Sequence, residues 1–272
     1  IHGYLQTQPI RGVYRNPRIP ELIVIDKENG GKADSLNAGI NAARKEYFAG
    51  IDSDSLLERD ALLRLTAPFL DVEEDVIATG GNIFPVNGCE VENGSIDSIR
   101  LPSNGLAKFQ TMEYIRSFMA GRTAWARLRS LLIISGAFGL FRKDDVVRAR
   151  GYLTGREAYG RDTVGEDMEL VVRMSKMLRR EGRSSLVQYC YSANCWTEVP
   201  ESRKVLSAQR DRWQRGLIEI MLMHGDMLFR SRYGVAGTIG MPYFLIFEVV
   251  GPWIEIQGYF WIVLGLSLGV IS

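Results

Sequence analysis

Asp52-Ser53-Asp54 places two carboxylates one residue apart, directly behind the apolar run Tyr47–Ile51. Carboxylates so placed can share a hard divalent cation bound to a diphosphate; the same residues also make an ordinary solvated turn. A calcium loop is excluded, because Leu57 and Leu63 stand where that motif needs Gly and Glu. Lys32 follows Gly30–Gly31 at the start of a helical pattern, a position that suits phosphate oxygens. It is not a Walker A lysine, since Ala33 occupies the Ser/Thr position. Glu166–Asp167 opens another helix, where acids either complement the helix dipole or supply a general base. Gln209, Arg212 and Trp213, at offsets of three and four, share one helix face. An amide, a guanidinium fork and a flat ring there suit a diphosphate beside a sugar; the plainer alternative is a buried Trp with a surface Arg.

These residues need elements to hold them. Glu21–Asp26 reads as a buried β-branched strand, Ala33–Lys45 as a helix, Tyr47–Ile51 as a strand, Glu58–Phe69 as a helix and Val76–Gly80 as a strand. That alternation predicts an α/β fold with a largely parallel sheet and ligands at the carboxyl ends of strands, near Asp26, Asp52 and Asp54. Phe109–Ser130 is helical and aromatic, fitting either a membrane surface or a core helix. Ser135–Phe141 has strand character with small residues, Glu166–Arg180 is a helix, and Ser202–Phe229 is a long basic-then-apolar helix. From Tyr233 to Ser272 the only formal charges are Glu248 and Glu255. This stretch predicts membrane helices at about 235–250 and from about 256 onward, broken at Gly251–Pro252.

The 272 residues, 46% hydrophobic and 24% charged, exclude a disordered or collagen-like chain. A net charge of +1 gives nucleic acid no electrostatic claim as a partner. Three cysteines and two histidines are too few for a zinc site, and the odd cysteine count favours a reducing compartment.

Taken in order, Asn29-Gly-Gly-Lys-Ala-Asp-Ser-Leu-Asn-Ala-Gly39, Asp52-Ser-Asp54, Ser135-Gly-Ala-Phe-Gly139, Gly165-Glu-Asp167, Trp196-Thr-Glu-Val-Pro200 and Gln209-Arg-Asp-Arg-Trp213 resemble the membrane-bound processive members of glycosyltransferase family 2. That group includes the synthases of hyaluronan, chitin, cellulose and poly-N-acetylglucosamine, the last being the most similar. The resemblance implies a Rossmann-like GT-A domain with a mostly parallel sheet, followed by transmembrane helices. It implies an inverting transfer from a UDP-sugar, UDP-N-acetylglucosamine first, to a growing β-linked polysaccharide. By the same resemblance Asp52 contacts the donor, Asp54 holds Mg²⁺ or Mn²⁺, and Lys32, Gln209 and Arg212 bind the diphosphate. Asp167, beside Glu166, takes the acceptor proton, and Trp213 lines the acceptor site.

The expected division is a partial GT-A domain over 1–200, an interfacial helix over 201–232 and truncated transmembrane segments over 233–272. The family's first strand, its base-binding turn and its later channel helices are missing, so the chain reads as an internal piece of a longer protein. The basic residues before the apolar segments predict a multi-pass protein of the bacterial inner membrane with a cytoplasmic catalytic domain. Its partners would be the donor, a polysaccharide or lipid-linked acceptor, the bilayer and an accessory membrane subunit, with no nucleic acid. Glu248 and Glu255 are expected against neighbouring helices or a polymer path. The rival readings are a non-processive transferase acting on a lipid acceptor, a glycoside hydrolase and a non-catalytic scaffold.

Overall fold

A computed structural model describes residues 3–71, 73–155 and 163–270. The chain opens with strands β1 (Ile10–Asn16) and β2 (Ile19–Lys27), then helix α1 (Gly31–Ala42) and strands β3 (Tyr47–Ile51) and β4 (Leu56–Leu57). Helix α2 (Ala61–Thr66) leads through a 3₁₀ turn to β5 (Val76–Pro85) and the short hairpin β6 (Glu90–Glu92)–β7 (Ser95–Ser98). Helix α3 (Gly105–Tyr114) continues through a π-helical stretch, Ile115–Arg122, into α4 (Thr123–Arg127). Then come β8 (Phe138–Arg142), α5 (Lys143–Arg148), α6 (Glu166–Arg180), β9 (Leu186–Thr197) and α7 (Arg203–Met223).

The central sheet has the order β3-β8-β5-β9-β4. Only β5 and β9 run parallel, from Val76↔Leu186 to Pro85↔Thr197, while the β3–β8, β8–β5 and β9–β4 pairs are antiparallel. The sheet is therefore mixed, not mostly parallel. The β-branched run 21–26 is also not a core strand. It lies within β2, which pairs only with β1 in an antiparallel hairpin outside the main sheet, with Leu22 and Val24 exposed. Asp26 goes with it, in the hairpin and 4.0 Å from Arg11.

Alternation along β8 divides the core, as the two-residue period of a strand requires. Phe141 faces Ile40, Val146, Leu170 and Met174 from α1, α5 and α6. Phe138 and Leu140 face Ala61 and Leu65 of α2, with Ile83 and Cys195. A third cluster joins Met168 and Val172 of α6 to Ile220 and Met221 of α7 and on to Tyr233, Ala236 and Met241.

A polar cluster closes one end of the three central strands β8, β5 and β9. Asp75 accepts from Arg142 Nη1 (2.7 Å), Arg183 Nη2 (2.8 Å) and Ser185 Oγ (2.5 Å). Burial would raise the Asp75 pKa, but these donors outweigh it and hold the carboxyl down to about 2, against an ordinary 3.8. A carboxylate with a depressed folded pKa adds stability above its ordinary pKa, which disappears as pH falls from about 4 toward about 2. With its side chain one third exposed, Asp75 should make the wild type lose about 1 kcal/mol more than Asp75→Asn over that window. Urea unfolding at stepped pH measures the difference.

Beyond α7, after two short 3₁₀ turns, the described residues form one helix, Ala236–Ser267, of 32 residues, mostly exposed and long and apolar enough to cross a membrane. Gly251–Pro252 does not divide it. The preceding turns, Phe244–Val250, are π-helical, and the wider winding takes up a ring that would otherwise clash with the turn before it. The expected second span is the continuation of the first helix, with 271 and 272 outside the described residues. The Glu248 and Glu255 side chains are both exposed, although Gln214 Nε2 of α7 donates to the Glu248 carbonyl at 3.0 Å.

Candidate functional site

The site forms where α1, the ends of β3 and β8 and the first turn of α6 meet. Gly31 has φ +82°, a conformation that favours glycine, and Asn29 Oδ1 accepts its N–H at 3.0 Å. This turn launches α1 with Lys32 in its first turn. The other polar residues of that motif are structural. Asn37 both donates to the Tyr152 carbonyl and accepts its N–H, each at 2.8 Å, and buried Asp34 pairs with Lys27 and accepts from Gln8 N–H.

Lys32 Nζ lies 2.6 Å from Asp52 Oδ1 and 3.4 Å from Glu166 Oε1. Burial works to lower the Lys32 pKa, but Asp52, Glu166 and Asp167 together raise it, so the ammonium stays charged. Burial and the neighbouring Asp167 raise the Glu166 pKa, against the opposing pull of Lys32. Asp167 Oδ2 accepts the Gly136 N–H at 3.1 Å. A Cβ on Gly136 would stand 2.8 Å from Lys32 Nζ, so any side chain there would displace the lysine. The small residues of Ser135–Ala137 thus form a loop ahead of β8, not the start of the strand. Ala137 O accepts the Asp52 N–H at 3.4 Å, which ties the two strand ends together.

Asp54 is exposed and makes no hydrogen bond or ion pair among the described residues. Behind the loop, burial pushes the Cys195 thiol up to about 11, with Asp52 and Asp54 adding to the rise. No group of three or more His, Cys, Asp or Glu able to hold a metal forms among the described residues. Two carboxylates suffice for a Mg²⁺-type ion only where substrate phosphates complete the shell.

Residues 209–213 occupy the first half of α7, which Ser202 caps by accepting Val205 N–H. Gln209 is half-buried, and its Oε1 is buried without a partner. Arg212 and Trp213 are exposed, and the Arg210 guanidinium lies 4.8 Å over the Trp213 ring while also pairing with Glu113. Two turns further along, α7 crosses the start of α6 so closely that a Cβ on Gly216 would stand 2.8 Å from Gly165 N. That crossing, rather than a direct contact, links the Gln-Arg-Trp face to the Lys32–Asp52–Glu166–Asp167 cluster.

Sequence reasoning missed three participants. The backbone N–H of Gly136 carries no side-chain signal. Arg122 donates to the Ile133 carbonyl at 3.1 Å and stacks 4.2 Å over Phe118, with its Nε buried and unpartnered. Burial lowers its pKa, opposed by Tyr189, Asp167 and Tyr114. Glu219 accepts from Thr163 Oγ1 at 2.7 Å and from Val164 N–H at 3.3 Å. In sequence it looks like the distal half of an ordinary Arg215–Glu219 surface pair.

A 28% identical relative, over 240 residues, is the poly-beta-1,6-N-acetyl-D-glucosamine synthase of Staphylococcus aureus (strain COL); the match covers 88% of this chain and 50% of that protein. The synthase of the same name from Staphylococcus epidermidis is 28% identical over 211 residues, 77% of this chain and 44% of the relative. The chain thus spans about half the length of the curated relatives it matches. The mannosyltransferase PcManGT from Pyrobaculum calidifontis, solved with GDP-Man and Mn²⁺, superposes with a TM-score of 0.53 at 16% identity, over 91% of this chain and 62% of that one. At that identity the likeness is one of fold, the GT-A arrangement. The Glycosyltransferase like family 2 profile matches residues 11–216, about three quarters of the chain, and with every motif of the site inside that span the chain belongs to this family.

Proposed function

We propose that the full-length protein is an inverting, membrane-bound glycosyltransferase that moves N-acetylglucosamine from UDP-N-acetylglucosamine onto a growing β-linked polysaccharide. The single observation that carries this reading is the cluster in which Lys32 lies between Asp52 and Glu166, with Asp167 held alongside by Gly136. A cation within reach of the leaving group, beside a carboxylate held in place, is what separating a diphosphate from an attacking hydroxyl requires. The 28% identical poly-beta-1,6-N-acetyl-D-glucosamine synthases support the choice of sugar and of polymer.

In this reading Asp167 accepts the proton of the acceptor hydroxyl as its oxygen attacks the anomeric carbon and the nucleoside diphosphate departs from the opposite face. Displacement from one face inverts the centre, so an α-linked donor gives a β-linked product. Lys32 moves from Asp52 toward the donor phosphates, while Arg212 and the unpaired Gln209 oxygen meet the donor from α7. Trp213 offers its ring to the acceptor once Arg210 leaves it. Asp54, exposed and unpaired, and Asp52 fit a Mg²⁺ or Mn²⁺ ion, which when bound would neutralise charge on the diphosphate.

The proposed layout keeps the catalytic domain over 1–200, an interfacial helix over 201–232 and membrane segments over 233–272. The protein would be a multi-pass protein of the bacterial inner membrane with the site facing the cytoplasm, working with the bilayer and an accessory membrane subunit.

The test uses full-length protein in membranes, with UDP release followed from UDP-N-acetylglucosamine and UDP-glucose, with and without chelator, and products sized on a gel. Chelator-sensitive turnover of UDP-N-acetylglucosamine into long chains is the expected result. No release from either donor would sink the reading, and single-sugar products would replace the polymer with a lipid acceptor.

A further inference from the structure

Three residues lead into α6 before its two acids: Thr163, Val164 and Gly165. Gly165 is the N-cap and has no side chain with which to cap the helix. A Cβ there would meet Ile220 Cδ1 at 3.1 Å and Gly216 Cα at 3.3 Å, so the close crossing with α7 leaves little space for one. The polar groups of this entry are satisfied from the crossing helix. Glu219 Oε2 receives the Thr163 hydroxyl at 2.7 Å and the Val164 N–H at 3.3 Å, and Thr163 Oγ1 in turn accepts the Gly165 N–H at 3.1 Å. Arg215 stands 3.8 Å from the other oxygen of Glu219. An i,i+4 pair of that kind is worth only a few tenths of a kcal/mol. Hydrogen bonds to a charged acceptor are about twice as strong as neutral ones. The carboxylate is thus committed to the entry of α6, not to the surface of α7.

We propose that Glu219 is a positioning residue for the proton-accepting carboxylate Asp167. It fixes the backbone immediately before α6, while Gly136 fixes the carboxylate itself. The half of the site carried by α7 (Gln209, Arg212 and Trp213) and the half carried by α6 are thereby held in one register. This inference rests on the role given to Asp167 under the proposed function.

The test compares full-length wild type with Glu219→Ala, Glu219→Gln, Thr163→Val and the double variant Thr163→Val/Glu219→Ala. Because misplacing a reacting group by about 1 Å costs up to about 10²-fold, Glu219→Ala should lower kcat about 10–100-fold with donor KM within about twofold of wild type. Glu219→Gln keeps an oxygen that can accept both bonds and should recover most of the loss. Thr163→Val should be intermediate, and the double variant no worse than Glu219→Ala, since both break the same chain of bonds. Amide hydrogen exchange over residues 163–170 is the readout that needs no turnover. It should speed up about tenfold in Glu219→Ala, a local opening, and stay near wild type in Glu219→Gln.

Wild-type kcat or unchanged exchange in Glu219→Ala overturns the proposal, as does a Gln variant as impaired as the Ala variant. If wild type turns over no nucleotide sugar, the reading of the reaction fails, while the exchange data still decide whether Glu219 holds the entry of α6.

Discussion

Replacing Asp167 by Asn is expected to lower kcat by about 10²–10⁴-fold, the usual contribution of a general base, with donor KM little changed. The substitution is nearly isosteric, and the amide oxygen can still accept the Gly136 N–H that now meets Oδ2 at 3.1 Å. The Met168 N–H that Oδ1 accepts at 2.8 Å would face the amide NH₂ and lose its acceptor, a small local cost beside the lost capacity to take a proton. Glu166→Gln provides the contrast. Its carboxylate lies 3.4 Å from Lys32, so its loss disturbs the cation's placement and should appear partly in donor KM. UDP release over a range of donor concentrations measures kcat and donor KM for both variants. A fall of less than tenfold in Asp167→Asn would remove this residue from the base role.

The second large effect is on stability. Arg173 donates to both oxygens of Glu169 at 2.8 Å and to the Gly151 carbonyl at 2.6 Å, and it also reaches the Ala149 carbonyl. His224 Nε2 lies 3.2 Å from Glu169 Oε1. Burial alone would raise the Glu169 pKa, but His224 and Arg173 together lower it, so a carboxylate only 1% exposed stays charged. Arg173→Met strands that charge and two carbonyls, and should cost about 3–5 kcal/mol. Adding Glu169→Leu should recover a large part of the loss, because removing both partners leaves no buried ion behind. Chemical unfolding of the purified protein resolves both changes. A single variant within 1 kcal/mol of wild type, as for a typical surface ion pair, would show that this network carries little.

Helix α6 was legible end to end because its signals agree. Acids open it, arginines close it, and its apolar stripe keeps helical period. The hairpin β1–β2 was not, since a β-branched run tells that a strand forms but not which strand it pairs with. The sheet's mixed sense was hidden for the same reason, as pairings such as Gly50↔Gly139 join segments far apart in the chain. Strand β9 escaped notice because Gln188, Ser192 and Asn194 disguise it. Folded, Asn194 donates to Glu58 at 2.8 Å and accepts from Asn82 at 2.9 Å, so its polar side chains are paired. In the site, side chains with chemistry of their own could be picked out. The Gly136 amide and the Glu219 carboxylate could not, because their importance lies wholly in what the fold sets beside them.

The unbroken helix Ala236–Ser267 also acts as a ruler. Its 32 residues measure about 48 Å at 1.5 Å per residue, against a hydrocarbon layer of roughly 30 Å. The surplus is at the end where Ala236, Gly237, Gly240, Met241 and Pro242 are buried in the globular part. There Trp125 packs 4.8 Å from Tyr243. Upright in a bilayer, such a helix would leave a surplus of about 18 Å, about twelve residues, and that surplus would be the whole clearance between the folded body and the lipid. If the full-length protein sets this helix in a bilayer, the folded body would be moored too closely to swing far from the surface.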